Sequence, residues 1–250
     1  MDNIFGRAMK VVEFENVSLC LNGKQILSNV SFSIEKNETV LLVGSSGSGK
    51  STILRLILAL QRPSSGTIRV MGQDLTGFCG SDLLRLRQKI GLVFQEGALF
   101  DSHTVLENVC FFLVENLHVP LEEARERVLP ILEFLGLHEY MHYYPSELSG
   151  GMKKRVGIAR AIASKPELVL YDEPTAGLDP ISAKKVVELI DTLDREYGVT
   201  SLIVTHELHY FVDAVDRLLF LKNGQIVYSG VPEVSILEQY SEPEVKPACS

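Results

Sequence analysis

Val43-Gly44-Ser45-Ser46-Gly47-Ser48-Gly49-Lys50-Ser51-Thr52 decides how this chain is read. An apolar run, Thr39-Val40-Leu41-Leu42-Val43, leads into it, and Ile53-Leu54-Arg55-Leu56-Ile57-Leu58 follows. The order is strand, glycine-rich loop, helix, with Gly44 and Gly49-Lys50-Ser51 at the fixed positions of G-x-x-x-x-G-K-[ST]. Glycines let the backbone curl until its N–H groups converge, and no Cβ keeps phosphate oxygens away. The helix opening near Lys50 adds the positive end of its dipole. Lys50 brings a mobile charge to the β- and γ-phosphates, and the Ser51 hydroxyl is placed to ligate Mg²⁺. A plain Gly/Ser turn is the bland alternative, and the strand and helix on either side argue against it. Residues 44–52 are therefore read as a nucleotide phosphate site.

The second chemical cluster lies a domain's length downstream. Leu168-Val169-Leu170-Tyr171-Asp172-Glu173-Pro174 is an apolar strand ending in two adjacent carboxylates. In an open parallel sheet ligands sit beyond the carboxyl ends of the strands. Asp172 is then available to hold Mg²⁺ through water, opposite Ser51. Glu173 points differently and is placed to polarise an attacking water. Surface acids are common, so the pair alone is a weak signal; with the phosphate loop it is a strong one. Gln95 follows Val93-Phe94, and His206 follows Leu202-Ile203-Val204-Thr205, both at strand ends. His206, Glu207 and His209 do not form H-E-x-x-H, so a zinc-protease site is rejected.

Leu148-Ser149-Gly150-Gly151-Met152-Lys153-Lys154-Arg155 is a further helix start shaped for an anion. Ser149 reads as the N-cap and the two glycines bare the first N–H groups. The ordinary alternative is a capped helix with solvated lysines. Because it lacks a strand and lysine loop of its own, it is read as serving the nucleotide of another copy.

The rest of the chain alternates strand and helix patterns. Strand-like runs occur at 11–15 and 30–34 around the turn signal Asn22-Gly23, and residues 1–10 read as a loose lead-in. A strand at 67–70 precedes Gly72-Gln73-Asp74, read as a turn. A capped helix at 81–87 precedes a strand at 90–94. Residues 104–144 read as a helical insertion, with Pro120 starting a helix and Pro130 predicting a kink or break. Helices near 152–164 and 181–197, strands at 168–171 and 201–204, and a hairpin around Lys222-Asn223-Gly224 complete the pattern. The last ten residues are expected to be disordered.

The chain has 250 residues, 46% hydrophobic and 22% charged, within the range of an ordinary globular domain. A net charge of -8 argues against a broad nucleic-acid-binding face. Its 4 cysteines, Cys20, Cys79, Cys110 and Cys249, form no C-x-x-C pair, which speaks against zinc and for reduced thiols in the cytosol. No apolar stretch approaches the roughly 18 residues needed to span a bilayer, so any membrane part must come from another chain.

Jointly these motifs resemble one family, the nucleotide-binding subunits of ATP-binding cassette (ABC) transporters. The order is Walker A at 44–51, Q-loop Gln95, signature Leu148-Ser149-Gly150-Gly151-Met152, Walker B ending at Asp172 with Glu173, D-loop Ala176-Gly177-Leu178-Asp179, and switch His206. The resemblance covers about residues 11–235. It implies an α/β fold: a RecA-like P-loop core (11–95 and 160–235), a small antiparallel β-part and an inserted helical subdomain (96–159). It also implies ATP and Mg²⁺, the ion held by Ser51, Gln95 and Asp172. Glu173 and His206 are the implied catalytic pair. Two copies would pair head to tail, each ATP lying between one Walker A and the partner's Ser149, Gly150 and Gly151, near Asp179. Transmembrane permease subunits are the implied partners, placing the chain at the inner face of the plasma membrane. Met152, where the signature usually has Gln, and the segment from Phe94 to Val109 are similar to ATPases of phospholipid-trafficking systems that work with MCE-domain proteins. An amino-acid or other small-solute importer, or the soluble cassette of iron–sulfur assembly, are the alternatives. Leu19, Cys20 and Leu21 stand where many relatives stack an aromatic on adenine.

Overall fold

The computed structural model describes residues 9–95, 97–233 and 235–236. Its N-terminal part is a hairpin of two 12-residue strands, β1 (Lys10–Leu21) and β2 (Lys24–Glu35), turned at Asn22 and Gly23, both at positive φ. These strands are much longer than their uninterrupted sequence patterns. Register shifts between Phe14 and Val17, with Asn16 at φ 51, break the period-two alternation, so a count of alternating residues stops early. The turn read at Gly72-Gln73-Asp74 is in part a short strand. The reversal is made by Met71 and Gly72, and Gln73–Asp74 (β5) pairs back on β4 (Ser65–Val70). The lead-in ends at Lys10, where β1 starts; residues 1–8 and the tail at 241–250 lie outside the described residues. The antiparallel sheet runs β2-β1-β4-β5.

β3 (Thr39–Val43) opens the second sheet and delivers the chain to α1 (Lys50–Ile57). After α2 (Ser81–Arg87) and β6 (Ile90–Val93) come three helices, α3 (Val105–Glu115), α4 (Leu121–Phe134) and α5 (Gly150–Ile162). β7 (Leu168–Asp172), α6 (Pro180–Tyr197), β8 (Thr200–Thr205), β9 (Arg217–Lys222) and β10 (Gln225–Gly230) follow. The sheet order is β10-β9-β3-β8-β7-β6, parallel throughout except for β10. β8 therefore separates the phosphate-loop strand from the strand carrying the carboxylates.

Each central strand splits its side chains between two cores, because successive residues face opposite sides. Val40, Leu42, Leu170, Leu202, Val204, Leu219 and Leu221 pack with α1 and the antiparallel sheet. Leu41, Val43, Val169, Tyr171, Ile203, Leu218 and Phe220 pack with α5 and α6. A third core is drawn from α3, α4 and α5. Ile158 and Ala161 of α5 belong to the second core while Val156 and Ala159 belong to the third, so α5 is shared between them. Helix α4 runs unbroken through Pro130. The proline is exposed, and so is Glu126 one turn before it, so the carbonyl left without an N–H partner lies on the solvent face.

Candidate functional site

The carboxyl ends of the parallel strands meet along one edge of the sheet. Val43 is opposite Thr205 and Phe220, Val204 opposite Asp172, and Tyr171 opposite Val93. The phosphate loop, Glu173, His206 and Gln95 are what the chain places just beyond these ends, so the sheet register alone gathers them.

The loop is shaped by what it lacks. A Cβ on Gly44 would stand 2.3 Å from the Leu221 carbonyl oxygen and 2.7 Å from Ser48 Oγ, and one on Gly49 would meet Leu27 at 2.8 Å. Gly49 also sits at φ 110, a conformation closed to other residues. Ser48 N–H donates to the Ser45 carbonyl at 3.1 Å, closing the curl. The Ser48 hydroxyl is buried and has no hydrogen-bond partner among the described residues. Lys50 Nζ folds inward and donates to the carbonyls of Gly44 (2.8 Å) and Ser45 (3.2 Å). Burial holds this ammonium below its ordinary value, while Glu173 and Asp172 pull it back up. A buried cation held by its own loop, beside an unsatisfied hydroxyl, fits an incoming polyphosphate.

Ser51 Oγ donates to Asp172 Oδ1 at 3.3 Å. Oxygen ligands at 2.0–2.1 Å in an octahedron stand about 3 Å apart, so this pair fits two neighbouring places around Mg²⁺. Burial raises the Asp172 carboxyl above its ordinary range, against the Ser51 hydrogen bond, and the Glu173 charge adds to the rise. Among the described residues no cluster of three or more His, Cys, Asp or Glu side chains could hold a metal by itself. Mg²⁺ here would need phosphate oxygens to complete its shell.

Glu173 is the most constrained residue of the site. Its φ is 51, left-handed for a residue with a side chain, and its N–H donates to the Val204 carbonyl at 2.8 Å. Oε2 accepts from Thr205 Oγ1 at 2.9 Å and from the His206 N–H at 3.4 Å, and lies 2.9 Å from His206 Nδ1. Oε1 is left on the side of Lys50 Nζ, 3.9 Å away. Thr205, not singled out in the sequence, thus aims the carboxylate. A hydroxyl residue ending an otherwise apolar strand, Leu202-Ile203-Val204-Thr205, was the available signal.

Other predicted residues are not gathered here. Ser149 caps α5 by accepting from the Met152 N–H at 3.3 Å, and the glycines behind it face Leu178 and Ser182. Ser149, Gly150 and Gly151 share no hydrogen bond with the phosphate loop among the described residues. Asp179 caps α6 through Ile181 and Ser182 N–H groups, and the Ser182 side chain first, then these N–H groups, hold its carboxyl below its ordinary value. Gln95 is exposed beyond β6, and its backbone carbonyl accepts from Lys154 Nζ. Lys154 corrects the picture of solvated lysines on the signature helix: it is buried, and it also donates to the Glu173 carbonyl. Its place four residues before Ile158, on the apolar stripe, was the missed sign.

The family model described as ABC transporter matches residues 27–176. Methionine import ATP-binding protein MetN 2 of Bacillus cereus is 38% identical over 240 residues, covering 94% of this chain and 69% of that protein. The chain belongs to the ABC transporter family. MetN 2 of Rhodococcus jostii is 42% identical over 94% of this chain and 68% of its own length. Among solved structures, the ATP-binding cassette MJ0796, dimeric and bound to ADP and Pi, has a TM-score of 0.80 at 33% identity, covering 89% of this chain and 99% of that one. CbiO1 from Clostridium perfringens has a TM-score of 0.84 at 29% identity, covering 92% of each.

The fold is thus the ABC cassette, with its P-loop core and antiparallel sheet, and the chain is an ATP-hydrolysing, ATP-binding transporter subunit. The relatives are named methionine import ATP-binding proteins, which fits the small-solute alternative better than lipid trafficking with an MCE-domain partner. The lipid assignment leaned on Met152 and one short segment. Met152 is half-buried and packs against the core formed by α3, α4 and α5, so packing within its own helices accounts for it. No helix of the described residues is long and apolar enough to cross a membrane.

Proposed function

We propose that this ABC subunit is the motor of an importer for a small solute of the amino-acid class. It binds Mg-ATP on residues 44–52 and hydrolyses it within a head-to-tail pair of copies. What carries the hydrolytic reading is the fixing of Glu173, with one carboxylate oxygen bound by Thr205 and His206 and the other beside Lys50. Ser51 and Asp172 would hold the ion, with Gln95 nearby, and Mg²⁺ would neutralise phosphate charge. Glu173 orients the attacking water and His206 faces the γ-phosphate side. The capped start of α5, which faces Leu178 and Ser182 instead of its own loop, is the surface offered to the other copy's nucleotide. The import names and sequence identity of the relatives support the cargo class, and permease subunits would hold the chain at the inner face of the membrane.

Glu173→Gln tests the site. Hydrolysis is expected to fall about 10²–10⁴-fold while ATP affinity survives. Size-exclusion chromatography with light scattering should then show a dimer only with Mg-ATP. Parental turnover, or a monomer at saturating ATP both alone and with its permease, sinks the paired site. For the cargo, the purified permease complex should hydrolyse ATP faster with amino acids; stimulation by phospholipid alone would defeat the small-solute reading.

A further inference from the structure

Helix α5 carries a buried cation to which the scheme above gives no role. Lys154 is 5% exposed, and its Nζ donates to the backbone carbonyls of Gln95 and Glu173, the latter at 3.3 Å. Those two residues occupy matching places in the sheet. β6 and β7 pair in parallel as far as Val93 opposite Tyr171, and Gln95 and Glu173 each stand two residues beyond that pair. The ladder ends where the chain must present a carboxylate. Lys154 continues the connection from outside the sheet. An ammonium has three donors and no fixed fork, so one Nζ can serve two carbonyls at once.

The rest of the Glu173 backbone is held locally. Its N–H is taken by Val204 of β8, and its carbonyl also accepts from the Ala176 N–H at 3.2 Å within the following turn. Lys154 adds the tie to α5. Further along the same helix, Arg160 donates to the carbonyls of Gly97 (2.7 Å) and Ala98 (2.8 Å), both at positive φ. One helix thus grips the segment after β6 at two levels and the carboxylate strand at one. That helix is capped by Ser149, and the hydrogen bond from Lys154 ties its opening turns to the Glu173 backbone.

We propose that Lys154 is a positioning residue for ATP hydrolysis, holding the Gln95 and Glu173 carbonyls together so that the Glu173 carboxylate keeps its aim. The inference rests on the reading of Glu173 as the group that orients water. The test compares kcat and KM for ATP in Lys154→Met, Lys154→Gln, Glu173→Gln and the Lys154→Met/Glu173→Gln double variant of the full chain. Met removes the donor at similar volume. It should lower kcat by about 10- to 100-fold, the effect of a small misplacement, with KM within about threefold. Gln retains a donor and should recover most of that loss. In the double variant Lys154→Met should cost nothing further, because the two residues act as one unit. If the Met variant does not fold, Lys154→Ala is read in its place, since water can then reach both carbonyls. A parental kcat without the donor, a raised KM at unchanged kcat, a Gln variant as slow as Met, or a multiplicative loss in the double variant each overturns the inference. Parental turnover in Glu173→Gln alone would instead remove the reading on which it rests, so the two failures are told apart.

Discussion

Gly44 shows how little freedom a single position in this site has. The atoms a Cβ would meet are a backbone carbonyl of β9 at 2.3 Å and Ser48 Oγ at 2.7 Å. The first belongs to a central strand and has nowhere to go, so the loop itself would have to move. Gly44→Ala is expected to lower ATP affinity at least about tenfold, or roughly 1.4 kcal/mol, with the fold kept. Titration with a fluorescent ATP analogue measures it, and unchanged affinity would mean that the loop is looser than its packing. Gly47, by contrast, has nothing within 4 Å of its Cβ position, and only its φ of 79 resists substitution. The two glycines look alike in sequence. What chiefly separates them, the Leu221 carbonyl beside Gly44, comes from a strand more than 170 residues away.

Among the elements, α3 and α4 show opposite ways of ending up helical. α3 has a reciprocal cap, Thr104 with Glu107, and its start could be read from the chain alone. α4 contains Pro130 and is helical because Ala124, Val128 and Leu132 bury one face in the third core. Packing outweighs a missing hydrogen bond when the proline faces water. Pro130→Ala should therefore restore a donor at little steric cost and stabilise the protein by about 1–2 kcal/mol, the helix gain less the loosening of the unfolded chain. Urea unfolding reads this directly, and destabilisation would show that the ring itself packs.

At the scale of the molecule, the two ends of the sheet do different work. The carboxyl ends hold the site, and the opposite ends are joined by Asp194 of α6. Its carboxylate accepts from Thr39 Oγ1 at 2.8 Å and from Ser201 Oγ at 2.7 Å, tying α6 to β3 and β8. Burial pushes this carboxyl up to about 6 from 3.8, opposed by the two hydroxyls, with Asp191 and Asp216 adding to the rise. A raised folded value means that the stabilising contribution is complete below about pH 4. It is lost as pH climbs to about 6, and it is flat beyond. The loss is on the order of 3 kcal/mol at 1.36 kcal/mol per pH unit. Relative to Asp194→Asn, the parent should lose that much stability between pH 4 and pH 7 in urea titrations. A difference that does not vary with pH would refute the buried-carboxyl account. A second prediction belongs to the assembled pair: Ser149→Arg should abolish hydrolysis while the single chain still binds ATP. Retained turnover would mean that the start of α5 does not meet the other copy's nucleotide.

The chain by itself determined the phosphate loop, the carboxylates after β7, the strand-loop-helix order and the family. These depend on residues adjacent in sequence, where a glycine pattern or an apolar run has one physical meaning. The sequence misled where one residue type serves two environments. Met152 reads as a subfamily mark and packs, half-buried, against the third core, and Lys154, solvated in the ordinary alternative for that helix, is buried beneath two carbonyls. Only the tertiary structure decided that Thr205 aims Glu173, that α5 reaches the Glu173 backbone, and that Asp194 closes the far end of the sheet. Each of these joins groups on different elements that the parallel sheet brings side by side. No local pattern encodes such a contact, because the partner is chosen by sheet order and register.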